Sequence, residues 1–174
     1  MQKLAPYGSW RSPITSDMIA SQTIGLEQIA LEGSDIYWIE SRPAEGGRSV
    51  IIRCDPGGGV DELVPAPFNA RTRVHEYGGG AYTVFGRTLI FSNFADQRLY
   101  RLDPGSAPRP ITPAIECRYA DGVINARCSR IICVCEDHRL PGREALNPIV
   151  AIDLDGEGEM QVLAKGYDFY SSPR

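Results

Sequence analysis

The chain has 174 residues, 18 Lys+Arg against 22 Asp+Glu and a formal net charge of −4, so no basic surplus points to a nucleic-acid partner. A hydrophobic share of 43% excludes compositional disorder, yet no run nears the roughly 20 apolar residues of a membrane-spanning helix. The 18 Gly and 13 Pro argue against long helices and for short elements joined by turns. Met1 to Ser12 hold no apolar core of the signal-peptide kind. The five cysteines, at positions 54, 117, 128, 133 and 135, form no Cys-x-x-Cys pair. They read as small buried hydrophobes in a reducing compartment, and the chain as cytoplasmic.

In chain order, Pro13 to Ala20 comes first. Thr15 or Ser16 can cap a short helical turn carrying Met18 and Ile19, which stops near Ser21 ahead of Gly25. A repeat then begins. Apolar runs at Ile24–Leu31, Ala81–Phe85 and Tyr119–Ile124 each precede a second run, at Ser34–Glu40, Arg87–Asn93 and Ser129–Cys135. Third runs follow at Ile51–Gly57, Leu99–Gly105 and Val150–Gly156, with Asp55, Asp103 and Asp153 in matching places. Shorter runs close the units at Glu62–Pro65, Pro110–Pro113 and Met160–Leu163.

Four β-branched or aromatic runs per unit, separated by Gly, Pro and Asp, are strand-and-hairpin signals. Recurrence of such units at ~40–50 residues is the pattern of a β-propeller blade. A β-sandwich would not require turn chemistry to recur at near-constant spacing. The expected fold is therefore all-β, a partial β-propeller of about three four-stranded antiparallel blades plus the start of a fourth. An N-terminal extension covers 1–23, and the propeller covers 24–174, with blades near 24–70, 78–115 and 118–165 and a further start at 167–174. Tyr37, Trp38, Phe91 and Tyr100 fall at repeat positions and are expected in the core between blades. Three blades cannot close a ring of ~4–8, so the chain is expected to be part of something larger, with unpaired strand edges at both ends.

Chemistry is sparse. No serine has glycine two residues before and two after it, as a nucleophile elbow requires. His75-Glu76 begins like a zinc-peptidase motif, but Gly79 stands where the second His belongs. No metal or cofactor is expected. Gly78-Gly79-Gly80 lacks the Lys-Ser/Thr of a phosphate loop and reads as the approach to a crowded innermost strand. Gly57-Gly58-Gly59 reads as a hairpin turn. Adjacent Glu136 and Asp137 point to opposite faces of a strand, and Asp153 and Asp155 read as turn residues.

The local motifs are more distinctive than the repeat. Tyr7–Ile14, Tyr37–Pro43, Arg71–Gly80, Phe91–Tyr100 and Asp168–Arg174 resemble the N-terminal propeller of the prolyl oligopeptidase family of serine peptidases, nearest its acylaminoacyl-peptidase and dipeptidyl-aminopeptidase branch, which is mostly bacterial. The resemblance runs from about Pro6 to the last residue, and Val74–Gly80 is its most specific part. It implies a propeller that filters peptides above a C-terminal α/β-hydrolase domain carrying a Ser-Asp-His triad. That domain and the remaining blades are absent from this sequence. No catalytic residue can be assigned, and the chain alone is expected to be inactive.

Side chains on innermost strands would face the central channel of such a propeller. His75, Glu76, Tyr77, Arg118, Tyr119 and Asp121 occupy those positions and are the candidate peptide contacts, with Glu76 expected to hold a substrate amino group. The structural alternative is an ion pair of Glu76 with Arg73 that fixes the glycine-rich segment. For the chain as a whole, the alternatives are a stand-alone binding or scaffold module that completes its ring with another chain, and an independent metal-dependent lactonase-type propeller. The last lacks a convincing set of inward carboxylate and His ligands.

Overall fold

The computed structural model describes residues 6–9, 11–21, 23–156 and 159–174. Trp10 of the first motif, parts of the expected 1–23 extension and residues 157–158 of the third unit lie outside the described residues. The expected helical turn forms as α1, Ser16–Ser21. Thr15 caps it: its Oγ1 accepts from the Met18 N–H at 3.1 Å, and its carbonyl accepts from the Ile19 N–H at 3.1 Å.

Twelve strands follow. β1 (Gly25–Glu32), β2 (Asp35–Arg42), β3 (Arg48–Cys54) and β4 (Val60–Glu62) make the first sheet. β5 (Tyr82–Phe85), β6 (Thr88–Ser92), β7 (Leu99–Leu102) and β8 (Arg109–Pro110) make the second. β9 (Cys117–Asn125), β10 (Arg130–Asp137), β11 (Ile149–Asp153) and β12 (Gln161–Ala164) make the third. Each is an antiparallel meander in which strands pair in chain order. A 3-10 turn at Pro43–Glu45 joins β2 to β3, which the sequence pattern did not anticipate. The β3–β4 hairpin turns on Asp55, whose Oδ1 accepts from the N–H groups of Gly57 at 2.8 Å and Gly59 at 2.9 Å.

Strand alternation builds two cores. On β6, Leu89 and Phe91 join Tyr37, Ile39, Ile51 and Val64 between the first and second sheets. Ile90, one residue out of phase, joins Tyr119, Ile131, Cys133 and Val150 between the second and third. Tyr37, Phe91 and Tyr100 fill the first core as expected, Tyr100 stacking on Phe91 at 5.8 Å. Trp38 does not. It lies on the opposite face of β2 from Tyr37 and turns its Nε1–H toward Glu40 at 3.4 Å. The cysteines divide as well: Cys117, Cys133 and Cys135 are buried, Cys54 is half-buried and Cys128 is exposed on the β9–β10 turn. All five are free thiols, and burial pushes the Cys133 thiol up to about 12, with the Asp121 charge adding to it.

The first strands of the three sheets lie side by side, β1 next to β5 and β5 next to β9. Two irregularities hold them. Gln28 in the β1 bulge (φ 51°) accepts from the Ala81 N–H at 2.7 Å and donates to the Gly79 carbonyl at 3.0 Å. Asp121 in the β9 bulge (φ 57°) accepts from the Gly80 N–H at 2.6 Å and from the Ser172 N–H at 3.0 Å. Gly79 and Gly80 suit this close approach, because a Cβ on Gly79 would crowd the Ala120 Cβ at 3.0 Å and one on Gly80 the Asp121 Oδ1 at 3.0 Å. Residues 167–174, expected to start a fourth unit, form no strand and have no partner strand among the described residues. They lie along β9, with Tyr170 packed against Val74, Ala120 and Val134.

Candidate functional site

The candidate contacts gather where the Arg71–Gly80 segment meets the start of β9. The backbone is tightly folded there. His75 and Glu76 both have positive φ, 53° and 65°, a conformation that L-residues adopt at a cost. Two turns fix it: the Glu76 N–H donates to the Arg73 carbonyl and the Gly78 N–H to the Val74 carbonyl, each at 2.9 Å. Gln97, itself buried, accepts from the Arg73 N–H at 2.7 Å and ties the segment to the second sheet.

Arg118 is the centre of the site. Its Nη1 donates to the Arg73 carbonyl at 2.8 Å, to Glu76 Oε1 at 2.6 Å and to Glu136 Oε2 at 3.2 Å. Glu136 is its cross-strand neighbour on β10 and is buried. Glu76 is the opposite case, with 75% of its side chain exposed. The hydrogen bond from Arg118 holds the Glu76 carboxyl below the usual carboxylate range, so it is ionised and open to solvent. The expected Glu76–Arg73 pair is thereby corrected: Arg118 supplies the cation, while the Arg73 guanidinium lies over the Phe94 ring at 5.5 Å from its centroid.

The other candidates separate. His75 Nε2 lies 3.1 Å from Asn147 Oδ1, and its ring meets Phe169 edge-on. Tyr77 is exposed, its hydroxyl 3.4 Å from His75 Nδ1. Asp121 spends its carboxylate on the Gly80 and Ser172 backbone, as above. Tyr119 does not join them: it is 1% exposed, deep in the second core. His75, Glu76, Tyr77 and Arg118 therefore form one surface, with Asp121 beside it.

The structure adds members that spacing did not reveal. Glu136 is one, and its burial against Arg118 comes only from the β9–β10 register. His138 is another. Its Nε2 sits 3.1 Å from Glu136 Oε2 but out of line for a hydrogen bond, leaving that nitrogen buried without a partner. Arg73, Gln97, Glu116, Arg118 and His138 line an adjoining cleft of about 310 Å³. Among the described residues no group of three or more His, Cys, Asp or Glu is arranged to hold a metal ion.

A puromycin-hydrolysing peptidase of Mycobacterium tuberculosis shares the structure, with 41% sequence identity over 99% of this chain and a TM-score of 0.85. Puromycin hydrolase matches over 92% of the chain at 32% identity and a TM-score of 0.80. A variant of puromycin hydrolase complexed with PGG matches at 33% identity and the same TM-score. This chain belongs with the prolyl oligopeptidase family of peptidases and matches one portion of them. It spans 29% of the mycobacterial peptidase and 27% of puromycin hydrolase. No protein-family model matches the chain, and no curated protein matches it. The three meanders are blade-like, and the Arg118 site lies where the segment before β5 meets the start of β9.

Proposed function

We propose that the chain is the N-terminal propeller portion of a cytoplasmic serine peptidase of the acylaminoacyl-peptidase and dipeptidyl-aminopeptidase kind. In the whole protein it gates and positions peptides for a C-terminal α/β-hydrolase domain. The observation that carries this reading is the 41% identity over 99% of the chain with a puromycin-hydrolysing peptidase. Puromycin is accordingly the first substrate to test. Residues 1–174 contain no Gly-x-Ser-x-Gly elbow, and on this reading they are expected to hydrolyse nothing by themselves. The reading frame beyond the codon for Arg174 tests the assignment. A frame running into further blades and a Gly-x-Ser-x-Gly elbow supports it, and a stop followed by no such gene contradicts it.

In this reading Glu76 faces the chamber and receives the amino group of the substrate. Arg118 keeps the carboxylate ionised and fixes one oxygen, leaving the other to accept from an ammonium. Glu76→Gln in the full-length enzyme is expected to raise KM about tenfold for substrates with a free amino terminus, the size of one charge-assisted hydrogen bond. An unchanged KM with lowered thermal stability would leave Glu76 a structural role only.

A stand-alone module that completes its ring with another chain is the second reading. The exposed Leu26, Ile29 and Leu31 on β1 favour it. A neighbouring gene encoding the missing blades, with a stop after Arg174, would select it.

A further inference from the structure

The two grooves between successive blades are built from equivalent positions but filled differently. Between the second and third blades, Arg101 on β7 reaches across to Asp155 Oδ1 at 3.0 Å and to the Leu154 carbonyl at 3.4 Å. Arg109 joins the same carboxylate at 3.3 Å. Ser129, at positive φ, lies beside them, and the remaining cleft is about 180 Å³.

Between the first and second blades the counterpart of Arg101 is Arg53, two residues before Asp55 as Arg101 is before Asp103. The counterpart of Asp155 is Gly105, and the counterpart of Ser129 is Arg87, also at positive φ (68°). This groove therefore has no cross-blade carboxylate and carries a cation where the other has Ser129. The cleft opens to about 340 Å³, lined by Tyr37, Arg53, Arg87, Asp103, Gly105 and their neighbours. The carboxylates already there are engaged: Asp61 by Arg53 at 2.7 Å, Asp103 by Arg101 and Thr88, and Glu62 by Arg42 and Arg48. Asp35 stands 3.8 Å from Arg53 Nε, which is buried and makes no hydrogen bond. Arg87 is exposed and has no ion-pair partner among the described residues.

We propose that the cleft between the first and second blades binds a small carboxylate, which takes the place that Asp155 holds in the next groove. Arg87 is the principal donor, since its guanidinium fork matches a carboxylate in two parallel hydrogen bonds. A volume of this size suits a compact di- or tricarboxylate. The cleft is separate from the Arg118 surface and shares no residue with it.

Succinate titrated calorimetrically into the full-length protein tests the site, with succinamide as its uncharged analogue and inorganic phosphate as the rival anion. The expected result is saturable succinate binding at about 1 mM or tighter, no binding of succinamide and weaker binding of phosphate. Arg87→Ala, at an exposed position that leaves both cores intact, is expected to weaken succinate at least tenfold. Gly105→Asp returns a carboxylate to this groove; nothing lies within 4 Å of where the new Cβ would sit, and Asp adopts the positive φ of 75° there at a modest cost in strain. It is expected to weaken succinate in the same sense. Absence of saturable binding, survival of binding in either variant, or binding of succinamide or phosphate as tight as succinate would overturn the proposal.

Discussion

The second blade and the first share one strand pattern and differ in what covers them. On β6 four successive residues, Leu89, Ile90, Phe91 and Ser92, are buried, because a neighbouring sheet lies on each face. On β1, Leu26, Ile29 and Leu31 are 67%, 75% and 71% exposed, although their types are those of a core strand. Burial in this fold comes from the neighbouring blade, so apolar character marks a face that expects a neighbour. The outer part of the first blade is instead laced by charge: Glu62 and Glu45 share Arg42 and Arg48 at 2.6–3.0 Å.

Phe91→Ala should break the comparison most visibly, costing about 3–5 kcal/mol in denaturant unfolding. A cost no larger than that of Leu31→Ala would mean that the middle blade is not the better packed one. Arg118→Gln should follow at about 3 kcal/mol, since it leaves the Glu136 carboxylate buried opposite a neutral group. Unaltered unfolding in this variant would show that water reaches Glu136.

Acid should separate the blades in another way. Hydrogen bonds from Arg48 and then Arg42 hold the Glu62 carboxyl below its ordinary value of 4.5. A depressed carboxylate contributes stability that is present above the ordinary value and lost as pH falls through the folded one. The contribution is about 1 kcal/mol or less for so exposed a cluster. Amide exchange should therefore lose protection near β4 and the Pro43–Glu45 turn below about pH 4.5, while β6 stays protected. The smallest effect is expected from Leu31→Ser, within about 0.5 kcal/mol and with improved solubility of the isolated chain.

Much of this architecture is legible in the sequence because the repeat carries its own turns. Asp55 and Asp103 directly follow β3 and β7, Asp153 closes the equivalent β11, and the Gly57–Gly59 segment turns a hairpin as its composition requires. Glycines 79 and 80 likewise announce the close approach of backbones at β9. What stayed hidden depends on contacts between distant segments. Trp38 reads like Tyr37 in sequence, and only the sheet decides which side chain meets the second blade. Glu76 has a basic neighbour three residues away in Arg73, yet its partner is Arg118, 42 residues on, because a turn with positive φ aims it across the blade boundary. Glu136 carries no local mark of burial. Gln28 and Asp121 share no residue type, although each occupies a bulge and ties the innermost strands together.

Most rests on the proposal that this chain serves as the propeller portion of a peptidase whose catalytic groups lie elsewhere. Puromycin turnover by the full-length protein, measured beside residues 1–174 alone, tests it most directly. Turnover by the full-length protein and none by residues 1–174 is the predicted result. Turnover by residues 1–174 alone, or a folded full-length protein that leaves puromycin intact, would contradict it.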